Sequence, residues 1–163
     1  YNRVGNYINI GLTDDAKDKF SSVKWPLGKI AQYNNSAAVY YTLERGTDVS
    51  GGGSIDFVGE VGLMYPSDYG YTFALGVDDV CFNDLNGCSQ TGAKKSWLFQ
   101  STINQWLLTS YLNDNRVYTI SMTGLVGIDT SYVVRGIRPV VFLNSDLKLI
   151  EGNGSKESPF LLS

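Results

Sequence analysis

The chain contains no histidine. That removes the commonest general base, the commonest zinc ligand and the side chain that most often titrates near neutral pH. Every Ser-His-Asp arrangement goes with it. Charge is scarce as well: 18% of residues are charged, 13 cations against 16 acids, for a net charge of −3. The cations are scattered, so no basic stripe exists to neutralise a phosphate backbone, and nucleic acid is not an expected partner. No Gly-Lys-Ser/Thr phosphate cradle occurs. No apolar run reaches the length needed to cross a bilayer. The first residue is Tyr1, not methionine, which reads as a mature or trimmed chain; any export signal or membrane anchor would lie upstream.

Cysteine is limited to Cys81 and Cys88, which enclose a short polar turn. In an oxidising compartment a disulfide here would restrict the unfolded chain, a contribution on the order of 2–3 kcal/mol. Two buried thiols or a redox pair are the alternatives. Two thiols without histidine or a second cysteine pair do not make a zinc site.

What is present is a chain of 163 residues, 43% hydrophobic and 13% aromatic, with 11 tyrosines and 18 glycines. That is enough for one domain, 1–163, with a substantial core. Low charge with abundant Tyr, Asn, Ser and Gly is common among exported bacterial proteins.

Periodicity orders the chain. Leu12, Ala16, Phe20 and Val23 fall at helical spacing after Thr13, a suitable N-cap, and predict a helix over 13–23 that ends before Pro26. Segment 37–43 suits strand or helix. Segment 46–54, with three consecutive glycines, reads as a flexible connection. A strand follows over 55–64, irregular at Gly59. Pro66, Ser67 and Asp68 open a second helix with Ser67 as cap and Phe73 and Ala74 on its buried side. Segment 78–95 reads as a long polar surface loop held by the cysteines. Beyond it, short strands are expected at 96–99, 106–109, 116–122, 132–143 and 147–150, with Asn113, Asp114 and Asn115 forming a turn. The expected class is α+β: two early helices packed on a mixed or antiparallel multi-stranded sheet.

Candidate binding residues are few. Asp78, Asp79, Asn83, Asp84 and Asn86 crowd one loop and offer the oxygen ligands calcium prefers, without EF-hand spacing; a solvated loop explains them more simply. Tyr65, Tyr69 and Tyr71, with Tyr40 and Tyr41, form a candidate aromatic surface set against ordinary core packing. Arg135 and Arg138 flank Gly136; they suit either a carboxylate ligand or the tying of a strand to an acid or a carbonyl. Asn34 and Asn153 head glycosylation-type triplets that also suit plain turns. Asp14 and Asp15 fit a helix start. No catalytic residue and no metal ligand set is expected, and no cofactor beyond calcium at the loop.

The stretch 61–71, with Tyr65-Pro66-Ser67-Asp68-Tyr69 at its centre, resembles a family of uncharacterised surface proteins of gut-type Gram-positive bacteria, which often carry a prepilin-like N-terminal segment. Trp25-Pro26-Leu27-Gly28, the segment 41–47, the Trp97 and Trp106 stretches, and Arg135-Gly136-Ile137-Arg138-Pro139 with Ser158-Pro159-Phe160 fit the same pattern. The likeness spans nearly the whole chain. A deeper similarity links 63–74 and the Arg138-Pro139-Val140 strand to formylglycine-generating-enzyme-like and C-type-lectin-like domains. The enzymes' late cysteine pair and Arg-Gly-Gly-Ser segment are missing, so this resemblance implies a C-type-lectin-like fold without the oxidase activity.

Together these imply a non-catalytic, extracellular head domain of a pilin-like or anchored bacterial surface protein, partnered by copies of itself or other pilin-like subunits. Its membrane contact would run only through a segment upstream of Tyr1. The first alternative is lectin-like binding of a glycan or host surface protein through Tyr65, Tyr69, Tyr71, Asn83, Asp84 and Asn86. The second is a cysteine-dependent oxidase using Cys81 or Cys88.

Overall fold

Residues 12–31, 35–45, 56–73, 79–112, 115–155 and 157–163 are described in a computed structural model of the chain. The architecture is mixed α+β, with short helices and several small sheets. Helices are α1 (Asp14–Lys17), α2 (Ala37–Arg45), α3 (Pro66–Tyr71), α4 (Asp79–Asn83) and α5 (Gln90–Ala93). Strands are β1 (Val23–Pro26), β2 (Lys29–Ile30), β3 (Asp56–Gly59), β4 (Val61–Leu63), β5 (Gln105–Tyr111), β6 (Arg116–Ile120), β7 (Val126–Thr130), β8 (Pro139–Val141), β9 (Leu149–Glu151) and β10 (Leu161–Leu162). The largest sheet runs β2-β5-β6-β7, and the remaining pairs are β1 with β3, β4 with β8 and β9 with β10. The chain divides into two compact units.

The first unit takes its described residues from 12–23, 58–61 and 141–163. Thr13 caps α1 as expected, its Oγ1 accepting from Ala16 N at 3.3 Å. Exposed ion pairs Lys17–Asp14 at 2.8 Å and Lys19–Asp15 at 2.9 Å flank that turn. The helix expected over 13–23 stops after this single turn. Ser21 N instead donates to Phe142 O at 2.8 Å and Asn144 N to Lys19 O at 2.9 Å, so Phe20 and Leu143 form an antiparallel bridge. Long-range backbone pairing satisfies these groups, and the helical spacing of Phe20 and Val23 is overridden. Asn144 reinforces the bridge by accepting from Ser21 Oγ at 2.7 Å and donating to Asp18 O at 2.7 Å. Downstream, β9 and β10 form an antiparallel ribbon, and Asn153 Oδ1 accepts from Ser155 N within its turn.

The second unit draws on 24–57 and 62–140 and holds the main core. Ser36 caps α2 through its Oγ, which accepts from Val39 N at 3.3 Å, and segment 37–43 proves helical. Ala37, Tyr40 and Glu44 form the buried face of α2 at helical spacing. Gly70 lets α3 close onto this face: a Cβ there would stand 2.6 Å from the Ala37 Cβ. α3 begins two residues earlier than its sequence signals suggest. Tyr65 is the cap, Pro66 takes the first helical position, and Tyr65 N donates to Asp68 Oδ2 at 2.9 Å. Ser67 is therefore inside the helix and fully buried. Phe73 is buried as expected, while Ala74 lies outside the described residues.

The strand expected at 55–64 is two strands, β3 and β4, parted at Glu60 beside the suspected Gly59. β5 buries Gln105, Leu107 and Thr109 in alternation, and sits between parallel β2 and antiparallel β6. β6 and β7 pair in unbroken register from Arg116 opposite Thr130 to Ile120 opposite Val126. Neither β2 nor β7 was expected. The segment 96–99 is a turn, and of 132–143 only 139–141 is strand. Met122, expected on the buried face with Tyr118 and Ile120, is exposed because β6 ends at Ile120. Segment 46–54 and the turn residues Asn113 and Asp114 lie outside the described residues.

The segment 78–95 is not simply a surface loop. It contains α4 and α5, and it buries Cys81, Leu85, Cys88 and Ala93 in the core beside Tyr69, Phe73, Tyr118 and Ile120. A Cys81–Cys88 disulfide joins the end of α4's first turn to the residue before the α5 cap, Ser89. The turn joining β6 to β7 closes over this segment through Gly124. Its φ is +87°, and a Cβ there would stand 2.0 Å from the Ala93 Cβ. Gly124→Ala should therefore cost about 1–3 kcal/mol by combined strain and overpacking. Gly127→Ala, where the new atom would come no nearer than 3.9 Å to Thr119 Oγ1, should lie within about 1 kcal/mol of the parent. Urea denaturation of the two variants checks this; equal losses would refute the role given to the Gly124 turn.

Candidate functional site

Of the candidate tyrosines, Tyr40, Tyr65 and Tyr69 are buried while Tyr41 and Tyr71 are exposed. Tyr40 meets Tyr118 edge-on at 5.6 Å, and its hydroxyl donates to Asn86 Oδ1 at 3.1 Å. Tyr69 packs edge-on against Phe73 at 5.2 Å and donates to Gly124 O at 3.0 Å. Tyr65 donates to Pro26 O at 2.8 Å. Burial holds the Tyr65 and Tyr69 phenols protonated well above the ordinary tyrosine range. These three are core residues; the Tyr65 and Tyr69 hydroxyls anchor distant backbone and that of Tyr40 a distant side chain.

Tyr71, by contrast, shares a surface with Tyr41, 6.1 Å away edge-on, and with Phe82, 5.7 Å away. α2, α3 and α4 contribute one ring each, and Tyr41 and Tyr71 are 49% and 44% exposed. Exposed Asn83 follows Phe82 on α4. The polar loop residues beyond it serve the fold. Asp84 Oδ1 accepts from Asn86 N at 3.1 Å and Gly87 N at 2.9 Å, and Asn86 Nδ2 donates to Val126 O at 2.5 Å. Asp78 and the Asp79 side chain, the remaining calcium candidates, lie outside the described residues. No group of three or more metal-binding side chains assembles among the described residues.

Arg135 pairs with Asp129 of β7 and donates to Val134 O at 3.0 Å. Arg138 donates to Leu98 O at 2.9 Å. Both tie backbone segments together, the simpler of the two roles their sequence suggested. Of the triplet at Asn34, the first residue lies outside the described residues; the triplet at Asn153 is a turn.

Sequence reasoning missed a cluster directly beneath the aromatic surface. Arg45, at the end of α2, lies between two tyrosine rings, with its guanidinium carbon 4.7 Å from the Tyr41 centroid and 4.2 Å from that of Tyr65. Its nitrogens donate to Ser67 Oγ at 2.6 Å and Asp68 Oδ1 at 2.7 Å. Glu44, 1% exposed, accepts from Ser67 N at 3.2 Å through Oε1. Its Oε2 has no hydrogen-bond partner and stands 3.5 Å from Arg45 Nη1. Burial raises the Glu44 carboxyl to about 7, against the opposing pull of Ser67 and Arg45. The signal was available: Glu44 falls on the helical face of Ala37 and Tyr40, but segment 37–43 also suited a strand, which left its faces undefined.

Scans against protein-family models, curated proteins and solved structures each returned no match.

The Glu44 carboxyl ties stability to pH. Unfolded, it ionises near 4.5; folded, near 7. Between those values the native state keeps a proton that the unfolded chain has released, so the contribution is complete below 4.5 and lost as pH rises through 7. Urea midpoints of the parent should fall more steeply from pH 5 to pH 8 than those of Glu44→Gln. Parallel pH profiles for the two proteins would show that Glu44 does not carry the effect.

Proposed function

We propose that this chain is a non-catalytic, extracytoplasmic display domain, the exposed head of a pilin-like or otherwise anchored bacterial surface protein. The observation that carries this is the Cys81–Cys88 disulfide, which persists in oxidising compartments and is rare inside mesophilic cells. Both cysteines are buried in the core, so the bond is part of the fold and not an accessory to it. The sequence likeness to surface proteins with a prepilin-like segment points the same way, as does the low charge. On this proposal the partners are further copies or related subunits, the fold belongs with the C-type-lectin-like domains that 63–74 resembles, and the described residues work by contact. The cysteine-dependent oxidase alternative needs a free thiolate; a Cys81–Cys88 disulfide that forms completely and resists mild reductant, read by non-reducing intact mass, would remove it.

A second proposal, ligand binding, draws support from the exposed rings of Tyr41 and Tyr71, with half-buried Phe82 packed against Tyr71. Exposed aromatic rings held by packed helices bury much area at little entropic cost, and suit a glycan face or a protein loop. This surface keeps Tyr71 and neighbouring Asn83 from the original set, and leaves Tyr65 and Tyr69 to the core.

Immunogold microscopy on native cells and their sheared surface fraction should show label on filaments or on the cell surface. Label confined to the cytoplasm would overturn the display proposal. A glycan array should give signals lost on Tyr71→Ala; a silent array would remove the glycan version.

A further inference from the structure

The chain is acidic, yet one end of its main sheet is not. Hydrogen bonds gather three segments there. Gly136 N donates to Asn104 O at 2.8 Å, and Met122 N donates to Asn104 Oδ1 at 2.9 Å. Arg138 reaches Leu98 O, and the Gly124 turn packs on Ala93 and Phe99. Segments 94–104, 121–127 and 136–138 thus converge, and they contain Lys94, Lys95 and Arg138 but no Asp or Glu. In a chain of 16 acids this is a local reversal of sign.

The same end carries large apolar side chains facing solvent. Trp97 is 81% exposed, and Ile103, Met122 and Ile137 are 43%, 47% and 48% exposed. Packing does not require them: neighbouring Leu98 is buried in the core while Trp97 stands clear of it. Exposed contiguous apolar side chains beside like-signed charge mark an interaction surface.

We propose that this end of the β5-β6-β7 sheet docks on the surface of an anionic lipid bilayer. Trp97 would sit at headgroup depth, where its amphipathic ring is favoured, with the aliphatic side chains at the acyl boundary and exposed Lys94 against lipid phosphates. Charge complementarity selects an anionic surface. Three exposed flexible apolar side chains with a single exposed indole suit acyl chains better than a sugar, which stacks on flat rings and needs polar partners. Among the described residues no helix is long and apolar enough to cross a membrane, so the contact is interfacial and would be additional to any upstream anchor. It stands independently of the display proposal.

Vesicles of phosphatidylcholine with about one-third phosphatidylglycerol supply the probe, read by co-sedimentation and by tryptophan emission, with Trp97→Ser separating the share of Trp97 from that of Trp25 and Trp106. Binding with a blue shift, weakened by salt and absent from pure phosphatidylcholine, is expected. Lys94→Gln should lower partitioning about fivefold, the worth of one cation at such a surface, and Trp97→Ser by at least about tenfold. Both side chains are exposed, so parental circular dichroism and thermal midpoints are expected for both variants. No binding to the anionic vesicles, equal binding to neutral ones, or undiminished binding by Trp97→Ser would overturn the proposal. So would tighter binding of soluble dextran sulfate than of vesicles, which would assign the surface to an anionic polymer.

Discussion

The Arg45 guanidinium is the constraint on which the helical part of the second unit depends. It projects from the last turn of α2 and holds the first turn of α3 with two charge-assisted hydrogen bonds, while two tyrosine rings cover its faces. A lysine would supply neither the fork nor the flat surface. One cation here faces two carboxylates, Glu44 and Asp68, and only Asp68 takes a direct hydrogen bond from it. With both acids ionised the cluster carries an uncompensated negative charge against buried Glu44. Burial is the main reason that the Glu44 carboxyl is raised to about 7, with Ser67 and Arg45 pulling the other way and the Asp68 charge adding a smaller push. Once α3 is seated, Tyr69 reaches the Gly124 carbonyl and Phe73 fills the core, and the sheet is engaged through them.

Local signals in the sequence were dependable where local forces decide. Thr13 caps a helix, Pro66 opens one, and the alternation through Tyr118 and Ile120 marks a strand. They were misleading where distant backbone competes. Phe20 carries a helical period, yet it pairs with Leu143 because Phe142 and Asn144 offer backbone partners that no window of neighbouring residues reveals. β7 went unseen because Gly127 and Asp129 weaken its β character, and its pairing with β6 supplies what propensity lacks. Segment 78–95 looked soluble because its buried residues are few and separated by polar ones. Leu85 and Ala93 are core residues set singly in polar surroundings, and the disulfide holds the two that remain.

The candidate site was legible in kind and not in detail. The tyrosines stood out in the sequence, but composition cannot say which ring faces water. Tyr65 and Tyr69 lie a helical turn apart and face inward, whereas Tyr71 leaves that face. Asp84 and Asn86, which looked like ligands, serve the fold: Asp84 accepts from Asn86 N and Gly87 N, and Asn86 holds Val126 O and the Tyr40 hydroxyl. The exposed Trp97 was read as part of an expected strand over 96–99 and of a family-like stretch, because exposure is set by where neighbouring segments end and not by the residue itself.

The parallel pairing of β2 with β5 has a temporal side. Ile30 accepts from the Tyr118 hydroxyl across 88 residues of chain, and Lys29 and Ile30 align with Ser110 and Tyr111. No hairpin can deliver that contact; a long closure must be paid for entropically before its reward arrives. A chain emerging N-terminus first would complete α2, α3 and the disulfide loop while β2 still waits for its partner. Ile30 and the inner face of α2 would stay wet until β5 and β6 appear. Final consolidation thus belongs to the C-terminal half, and truncation before β6 would leave an N-terminal half with its core residues uncovered.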